Sequence, residues 1–291
     1  MKLSVIIPSY RDPLLQKTID SILENSEGDI EVIPVLDGYR QDIKKNPRVN
    51  VIQYDNNKGT RGAINAGLEV AKGDFVAKID SHCIVAQGFD KIMCDNCAED
   101  WLLVPRRYSL DEINWKRDDK RPICDYHFLN FPVDSEYGYG MFAQPDFNKT
   151  HHYRHLMIDD TMSMQASCWL ANKKYFMEHI GFLDNRKERY GCYGGEYIEI
   201  GLKYWLGGGV MKVNKKTWYA HLSKRQHHYD KEIYTRSYKQ ITTVNRNWST
   251  KHWINNEEPN MKYKFEWFIE KFWPIPTWED NWQEIWNSYN L

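Results

Sequence analysis

No long hydrophobic run occurs in this sequence. None of its 291 residues falls in a stretch approaching the ~18 consecutive apolar residues of a membrane-spanning helix. The apolar run at the start, Leu3-Ser4-Val5-Ile6-Ile7, is too short for the core of a secretory leader and reads as a buried first strand. A soluble, cytoplasmic protein is therefore expected. Excess charge of one sign is also missing: 39 Lys and Arg face 40 Asp and Glu, a net charge of −1. No global field then favours nucleic acid or an anionic membrane. Cysteine is sparse, and the six that occur are expected to be free thiols. Cys94-Asp95-Asn96-Cys97 has no second pair and no nearby His, so a zinc ribbon or redox motif is not indicated. Internal repeats and low-complexity segments are absent, and the sequons at Asn148 and Asn247 carry little weight without secretion.

Aromatic residues are plentiful. They make up 14% of the chain, with twelve Trp, four of them (Trp273, Trp278, Trp282, Trp286) close to the C-terminus. Mean hydropathy is −0.71, so the core and any cleft are expected to be aromatic-rich. The length suits one sizeable α/β domain with an appendage.

Along the chain, Leu3–Ile7 reads as strand one. A helix follows, with Leu14, Leu15, Thr18, Ile19, Ile22 and Leu23 at helical spacing and Pro13 in its first turn. Residues 31–36 and 51–54 read as strands two and three, 63–71 as a helix closed by Gly73, and 75–79 as strand four. This alternation predicts a mainly parallel, doubly wound sheet flanked by helices. Such sheets bind ligands at the carboxyl ends of their strands, where Pro8-Ser9-Tyr10, Asp37 and Asp80 all fall. Leu102–Pro105 reads as a further strand. The polar, aromatic stretch after it (Tyr126, Phe128, Phe131, Tyr137, Tyr139, Phe142) reads as irregular loops over the cleft, to about residue 160. Residues 167–170 and 210–213 read as strands and 173–180 as a short helix. Gly194-Gly195 opens another helix, which Gly207-Gly208-Gly209 ends. Short aromatic helices are expected over the last forty residues.

Asp80-Ser81-His82-Cys83 is the most informative stretch. Asp80 and His82 alternate at a strand end, so both can face one ion. A carboxylate oxygen with an imidazole nitrogen suits Mn²⁺ better than Ca²⁺, which prefers oxygen alone. Glu196 and Glu199, at i and i+3, share one helix face behind Gly194-Gly195, whose missing side chains let a backbone approach a ligand closely. His151, His152 and His155 form a cluster with no evident partner and read as a surface loop.

Taken in order, these motifs resemble the GT-A glycosyltransferases, above all the family 2 transferases and the polypeptide N-acetylgalactosaminyltransferases. Ser4 to Tyr10 is similar to their first strand and uracil-side loop. Gly59, Ala63, Asn65, Gly67 and Ala71-Lys72-Gly73-Asp74 are similar to the run before their metal motif. Asp80-Ser81-His82-Cys83 has the form of that D-x-H motif, and Tyr175-Phe176, Gly181 to Asp184, Gly194-Gly195-Glu196, Glu199, Trp205 and Gly208-Gly209 follow in the family's order. The likeness spans about residues 3–225. It implies Mn²⁺, with Mg²⁺ as the alternative, held by Asp80, His82 and His221. It implies a UDP-sugar donor contacted by Pro8, Ser9, Tyr10, Asp37, Arg61, Asp80, Ser81 and Arg225, with Glu196 and Glu199 as catalytic residues. Residues 1–225 would be the catalytic domain, with 1–100 the nucleotide half and 101–225 the acceptor half. Residues 226–291 would be a lid and helical extension, with Lys224, Arg225, His227 and His228 in a cationic lid over the diphosphate.

Two departures stand out. Tyr193 replaces the family's Trp, and Tyr197 replaces the Asn or Asp after Glu196. A phenol with a pKa of about 10 is no general base at neutral pH. Transfer with retention is therefore expected, or a base role for Glu196 or Glu199. The family's membrane anchor and lectin domain have no counterpart, so a bacterial or viral cytoplasmic enzyme is expected. The acceptor stays open: a protein, a glycan or cell-surface polymer, or a hydroxymethylated base of phage DNA, the last suggested by the basic, aromatic stretch 224–252. The rival reading is a catalytically inactive nucleotide-sugar-binding module.

Overall fold

A computed structural model describes residues 1–132, 140–222 and 245–289. In chain order the strands are β1 (Lys2–Ser9), β2 (Asp29–Asp37), β3 (Ile52–Tyr54), β4 (Phe75–Ile79), β5 (Cys83–Val85), β6 (Trp101–Asp111), β7 (Lys116–Asp118), β8 (His127–Leu129), β9 (Ala143–Pro145), β10 (Ile158–Asp160), β11 (Cys168–Asn172) and β12 (Val210–His221). The helices are α1 (Leu15–Asn25), α2 (Gly59–Val70), α3 (Phe89–Asp95), α4 (Phe147–His152), α5 (Lys173–His179) and α6 (Glu196–Gly207). Then come α7 (245–254), α8 (Phe265–Phe272) and α9 (Trp282–Ser288).

The main sheet runs β10-β12-β6-β11-β4-β1-β2-β3, with β5 paired to β12 and β7 to β6. The half formed by β4-β1-β2-β3 is wholly parallel. The other half is mixed: β12 and β6 are parallel, but β11 runs antiparallel to β4 and β6, β10 and β5 to β12, and β7 to β6.

Strand β1 shows why this sheet forms here. Its side chains alternate, so Leu3, Val5 and Ile7 pack with Leu15, Ile19 and Ile22 of α1 on one face. Ile6 packs with Ala63, Ile64 and Leu68 of α2 on the other. Each such fully buried aliphatic side chain contributes about 1.5–3 kcal/mol of hydrophobic stabilisation. Helix α2 lies so close to β1 that a Cβ on Gly67 would sit 2.4 Å from Ile6 Cγ2. The helix begins four residues earlier than its periodicity predicts. Most of it is buried, Arg61 included, so no polar stripe marks its first turn.

The region read as irregular loops is the main correction. Strand β6 continues to Asp111 and turns back as β7, and β8 and β9 form a two-stranded sheet. Tyr126, Phe128 and Phe131 are core residues, not cleft covers. Phe128 and Phe131 pack with the C-terminal aromatics, which no local pattern could announce, whereas the Tyr126 hydroxyl donates to Asp159 Oδ2 at 2.9 Å. Phe131 meets Trp278 edge-on with centroids 5.1 Å apart, and Trp278 Nε1 donates to the Leu129 carbonyl at 2.7 Å. Phe265, Phe268, Trp278 and Trp282 join Trp205 of α6 in one core cluster, so the expected short aromatic helices are present. Tyr137 and Tyr139 lie outside the described residues. Strand β12 runs on to His221, well past the expected end at Val213. Among the described residues, no helix is long and apolar enough to cross a membrane.

Candidate active site

Strand order places the carboxyl ends of β4, β1 and β2 side by side. Asp80, Ser81 and His82 form the turn from β4 to β5. Asp80 N–H donates to the Ser167 carbonyl at 2.9 Å. Thr18 Oγ1, from α1, donates to the Ser81 carbonyl at 2.9 Å and accepts from Cys83 N–H at 2.9 Å. Strand β5 then pairs antiparallel with β12, setting His221 opposite Cys83, and Leu222 N–H donates to the His82 carbonyl at 3.2 Å. That pairing brings His221 beside two residues far from it in the chain.

Ligand atoms of Asp80, His82 and His221 all lie within 4.8 Å of one another. His221 Nε2 is 3.1 Å from Asp80 Oδ2 and 3.1 Å from His82 Nε2, and His82 Nε2 is 4.0 Å from Asp80 Oδ2. With metal–ligand bonds of ~2.1 Å, neighbouring ligands on one ion stand ~3 Å apart, so the trio fits a divalent cation. Two imidazoles and one carboxylate are a donor set for a borderline transition metal.

The electrostatics suit that task. Burial alone would raise the Asp80 carboxyl, but Lys78, the His221 hydrogen bond and both histidines hold it well below the usual carboxylate range. Lys78 is buried inside β4, and its Nζ donates to Asp80 Oδ1 at 2.5 Å and to the Ala166 carbonyl at 2.7 Å. Burial pushes His221 down to about 4 in spite of Asp80, so its imidazole is neutral at pH 7 and can act as a ligand. Asp12, also buried, accepts from Ser81 Oγ at 2.6 Å and from Leu14 N–H at 2.9 Å, and lies 2.7 Å from His82 Nδ1. Sequence reasoning passed over Asp12 and Lys78. The one available signal was Lys78, a lone cation in an apolar strand two residues before Asp80, on the same face.

Beside the trio, at the neighbouring strand ends, Ser9 is buried at the end of β1. Tyr10 is exposed beside Pro8, and the Arg11 guanidinium lies 5.3 Å from its ring and 5.5 Å from that of Tyr39. Asp37 is nearly inaccessible, and its Oδ1 accepts from Lys58 N–H at 2.7 Å, capping the entry to α2. Burial raises its carboxyl despite that bond.

Two expectations for the sugar side need correction. Arg61 is not a cation facing the nucleotide. It is fully buried and ion-paired with Glu199, with Nε donating to the Asp184 carbonyl at 2.8 Å and Nη1 to the Gly194 carbonyl at 2.9 Å. Its guanidinium also lies 4.5 Å from the Tyr190 ring centroid. Glu199 is equally inaccessible, bound by Arg61, by Lys203 Nζ at 2.9 Å and by Asp184 N–H at 3.2 Å. Its carboxylate is thus held inside the protein at both oxygens. The physical reason is that Glu199 lies between two cations, Arg61 of α2 and Lys203 one turn on in α6, which neutralise it away from water. Glu196 begins α6 after Gly195, whose φ is +74°. It is largely buried and acts on Arg61 through its charge. The loop before it rests on α2: Arg61 N–H donates to the Cys192 carbonyl at 3.2 Å. A cavity of about 170 Å³ opens beside it, lined by Phe142, Gln165, Tyr193, Gly194, Gly195 and Tyr197. Lys224, Arg225, His227 and His228 lie outside the described residues.

Burial and neighbouring acids push the Cys94 thiol up to about 12, and burial pushes Cys97 up to about 12. Neither cysteine joins a metal-ligand group among the described residues, where the only such group is Asp80, His82 and His221.

Comparison with known proteins agrees with this geometry. The chain is 27% identical over 246 residues to polypeptide N-acetylgalactosaminyltransferase 3 of Mus musculus, covering 78% of this chain and 38% of that protein. It is 24% identical over 257 residues to polypeptide N-acetylgalactosaminyltransferase 5 of Caenorhabditis elegans, again covering 78% and 38%. The chain thus spans about two fifths of the length of these relatives. Both organisms are animals, so these likenesses lend no support to the expected bacterial or viral source. Its structure superposes on the crystal structure of GalNAc-T7 with UDP, GalNAc and Mn²⁺ at a TM-score of 0.62 and 16% identity, covering 93% of this chain and 57% of that one. The fold is therefore GT-A. Residues 4–177, more than half of the chain, match the model for glycosyl transferase family 2, and the chain belongs to that family.

Proposed function

We propose that this chain is a metal-dependent glycosyltransferase that moves a sugar from a UDP-sugar to an acceptor hydroxyl. The observation that carries the reading is the meeting of Asp80, His82 and His221 at the carboxyl ends of the parallel strands. Membership of family 2 and the UDP, GalNAc and Mn²⁺ bound by the GT-A relative support it. Mn²⁺ or Mg²⁺ bound there would neutralise the diphosphate as it becomes the leaving group. Asp80 Oδ2 and the Nε2 atoms of His82 and His221 are the atoms that would hold it. Pro8, Ser9, Tyr10 and Asp37 line the uridine side, and Ser81 sits beside the diphosphate. Glu196 orients the sugar or the acceptor hydroxyl. Arg225 belongs to the proposed lid.

Retention of configuration is the favoured outcome. Inversion needs a carboxylate base next to the acceptor. Tyr197 is not one, and Glu199 is neutralised inside the protein, so inversion would have to rely on Glu196 as its base. The acceptor is a hydroxyl of a protein, a glycan or polymer, or a modified base.

The test is UDP release from each common UDP-sugar with Mn²⁺, with Asp80→Ala as control. Slow, Mn²⁺-dependent release from one donor, lost in Asp80→Ala, is the expected result. UDP binding with no release from any donor, with or without candidate acceptors, would instead identify an inactive binding module.

A further inference from the structure

The two histidines of the trio are not equivalent. A neutral imidazole can ligate a cation only through the nitrogen that lacks the proton, and the hydrogen bond at the other nitrogen decides which one that is. His82 Nδ1 faces Asp12 Oδ2 at 2.7 Å, and a carboxylate can only accept there. The proton therefore stays on Nδ1, and Nε2 offers its lone pair toward Asp80 and His221. His221 has no such partner: its Nδ1 is buried with no hydrogen bond among the described residues. Its Nε2 lies 3.1 Å from both Asp80 Oδ2 and His82 Nε2, where a proton on His221 Nε2 suits both acceptors.

We propose that Asp12 is a positioning residue that commits His82 to the tautomer a divalent cation needs, so that His82 is preset as a ligand. This rests on the metal-site reading above. Asp12 is built for the role. It is about 1% exposed, and its Oδ2 also accepts from Ser81 Oγ at 2.6 Å. Its Oδ1 accepts from Leu14 N–H at 2.9 Å, at the entry to α1. The carboxylate is thus held at both oxygens, and one of its partners is the residue between the two ligands of the turn. Lys78 performs the matching task for Asp80, bonding Oδ1 and leaving Oδ2 toward the histidines.

The experiment is Mn²⁺ binding to the protein without nucleotide, read by the electron paramagnetic resonance of free Mn²⁺. It is paired with the protonation of His82 ring nitrogens, read by long-range ¹H–¹⁵N correlation in the metal-free protein. Wild type should bind Mn²⁺ and carry the His82 proton on Nδ1. Asp12→Asn, whose amide can donate to Nδ1 as well as accept, should shift the proton toward Nε2 and weaken Mn²⁺ binding about 10–100-fold. Its circular dichroism should be unchanged. Equal Mn²⁺ affinity in the two proteins would overturn the proposal, and so would a His82 proton on Nε2 in wild type, a result that needs no variant. Absence of Mn²⁺ binding in wild type would instead remove the metal site itself, while the nitrogen spectrum would still report on Asp12.

Discussion

Arg61 of α2 and Glu199 of α6 form an ion pair with both side chains excluded from solvent, at 0% and 1% exposure. The pair ties the helix that packs on β1 to the helix that follows Gly194-Gly195. Breaking one half leaves a buried charge with reduced compensation. Arg61→Met is expected to lower unfolding stability by about 3–5 kcal/mol, measured by urea denaturation. The double variant Arg61→Met/Glu199→Met should recover a large part of that loss. A single-variant loss below about 1 kcal/mol would contradict the pairing.

Gly59 carries the same junction by its lack of a side chain. Its φ is +78°, and a Cβ would stand 2.2 Å from the Cys192 carbonyl oxygen. Gly59→Ala should cost about 1–3 kcal/mol and push the loop outward. Faster amide exchange across residues 191–195 is the sign to look for, and unchanged exchange would argue against the contact.

Trp278 anchors the C-terminal aromatics to the β8 edge. It is nearly buried and bonds the Leu129 carbonyl. Trp278→Ala should destabilise by about 3–5 kcal/mol. Trp278→Phe should keep most of the packing and lose about 1 kcal/mol for the hydrogen bond. Equal losses in the two variants would show that the bond, not the packing, dominates.

His127 should make the fold acid-sensitive. Burial, helped by Arg107, lowers it from 6.5 to about 3. The unfolded chain binds its proton near pH 6.5 and the folded protein only near pH 3. The unfolded state therefore takes up more protons between these values, and stability falls as pH drops through that window. The loss is on the order of a few kcal/mol. His127→Gln should flatten the dependence of urea-unfolding stability on pH below 6.5, and parallel curves for wild type and variant would count against this reading.

Metal should stabilise the protein through the trio. At a hundredfold excess over its Kd, a bound ion adds about 2.7 kcal/mol. Mn²⁺ is expected to raise the melting temperature of wild type, a chelator to reverse it, and Asp80→Ala to abolish it. A rise that persists in Asp80→Ala would place the ion elsewhere.

Much of this was legible in the residues. The short apolar runs of β1, β2 and β4 and the helical spacing of α1 are local patterns, and their placement put Ser9, Asp37 and Asp80 at neighbouring strand ends. Asp80 and His82 are two residues apart, so their convergence is also local. Other features were not readable. Phe128 and Phe131 look like loop residues because their partners, Trp278 and its neighbours, lie far along the chain. Arg61 looks like a helix-start cation because Glu199 and the carbonyls that bind it come from distant segments.

The parallel α/β half, the motif order and the family are written in the residues alone, since apolar patterning and short-range spacing act through neighbours in the chain. Which charges are used up inside the protein, and which remain for a ligand, is settled by the folded arrangement. It paired Glu199 with Arg61, set Lys78 on Asp80 and Asp12 on His82, and delivered His221 through the β5–β12 ladder. The physical reason is that the cost of burying a charge, and the tautomer of an imidazole, depend on what stands within a few ångströms in space.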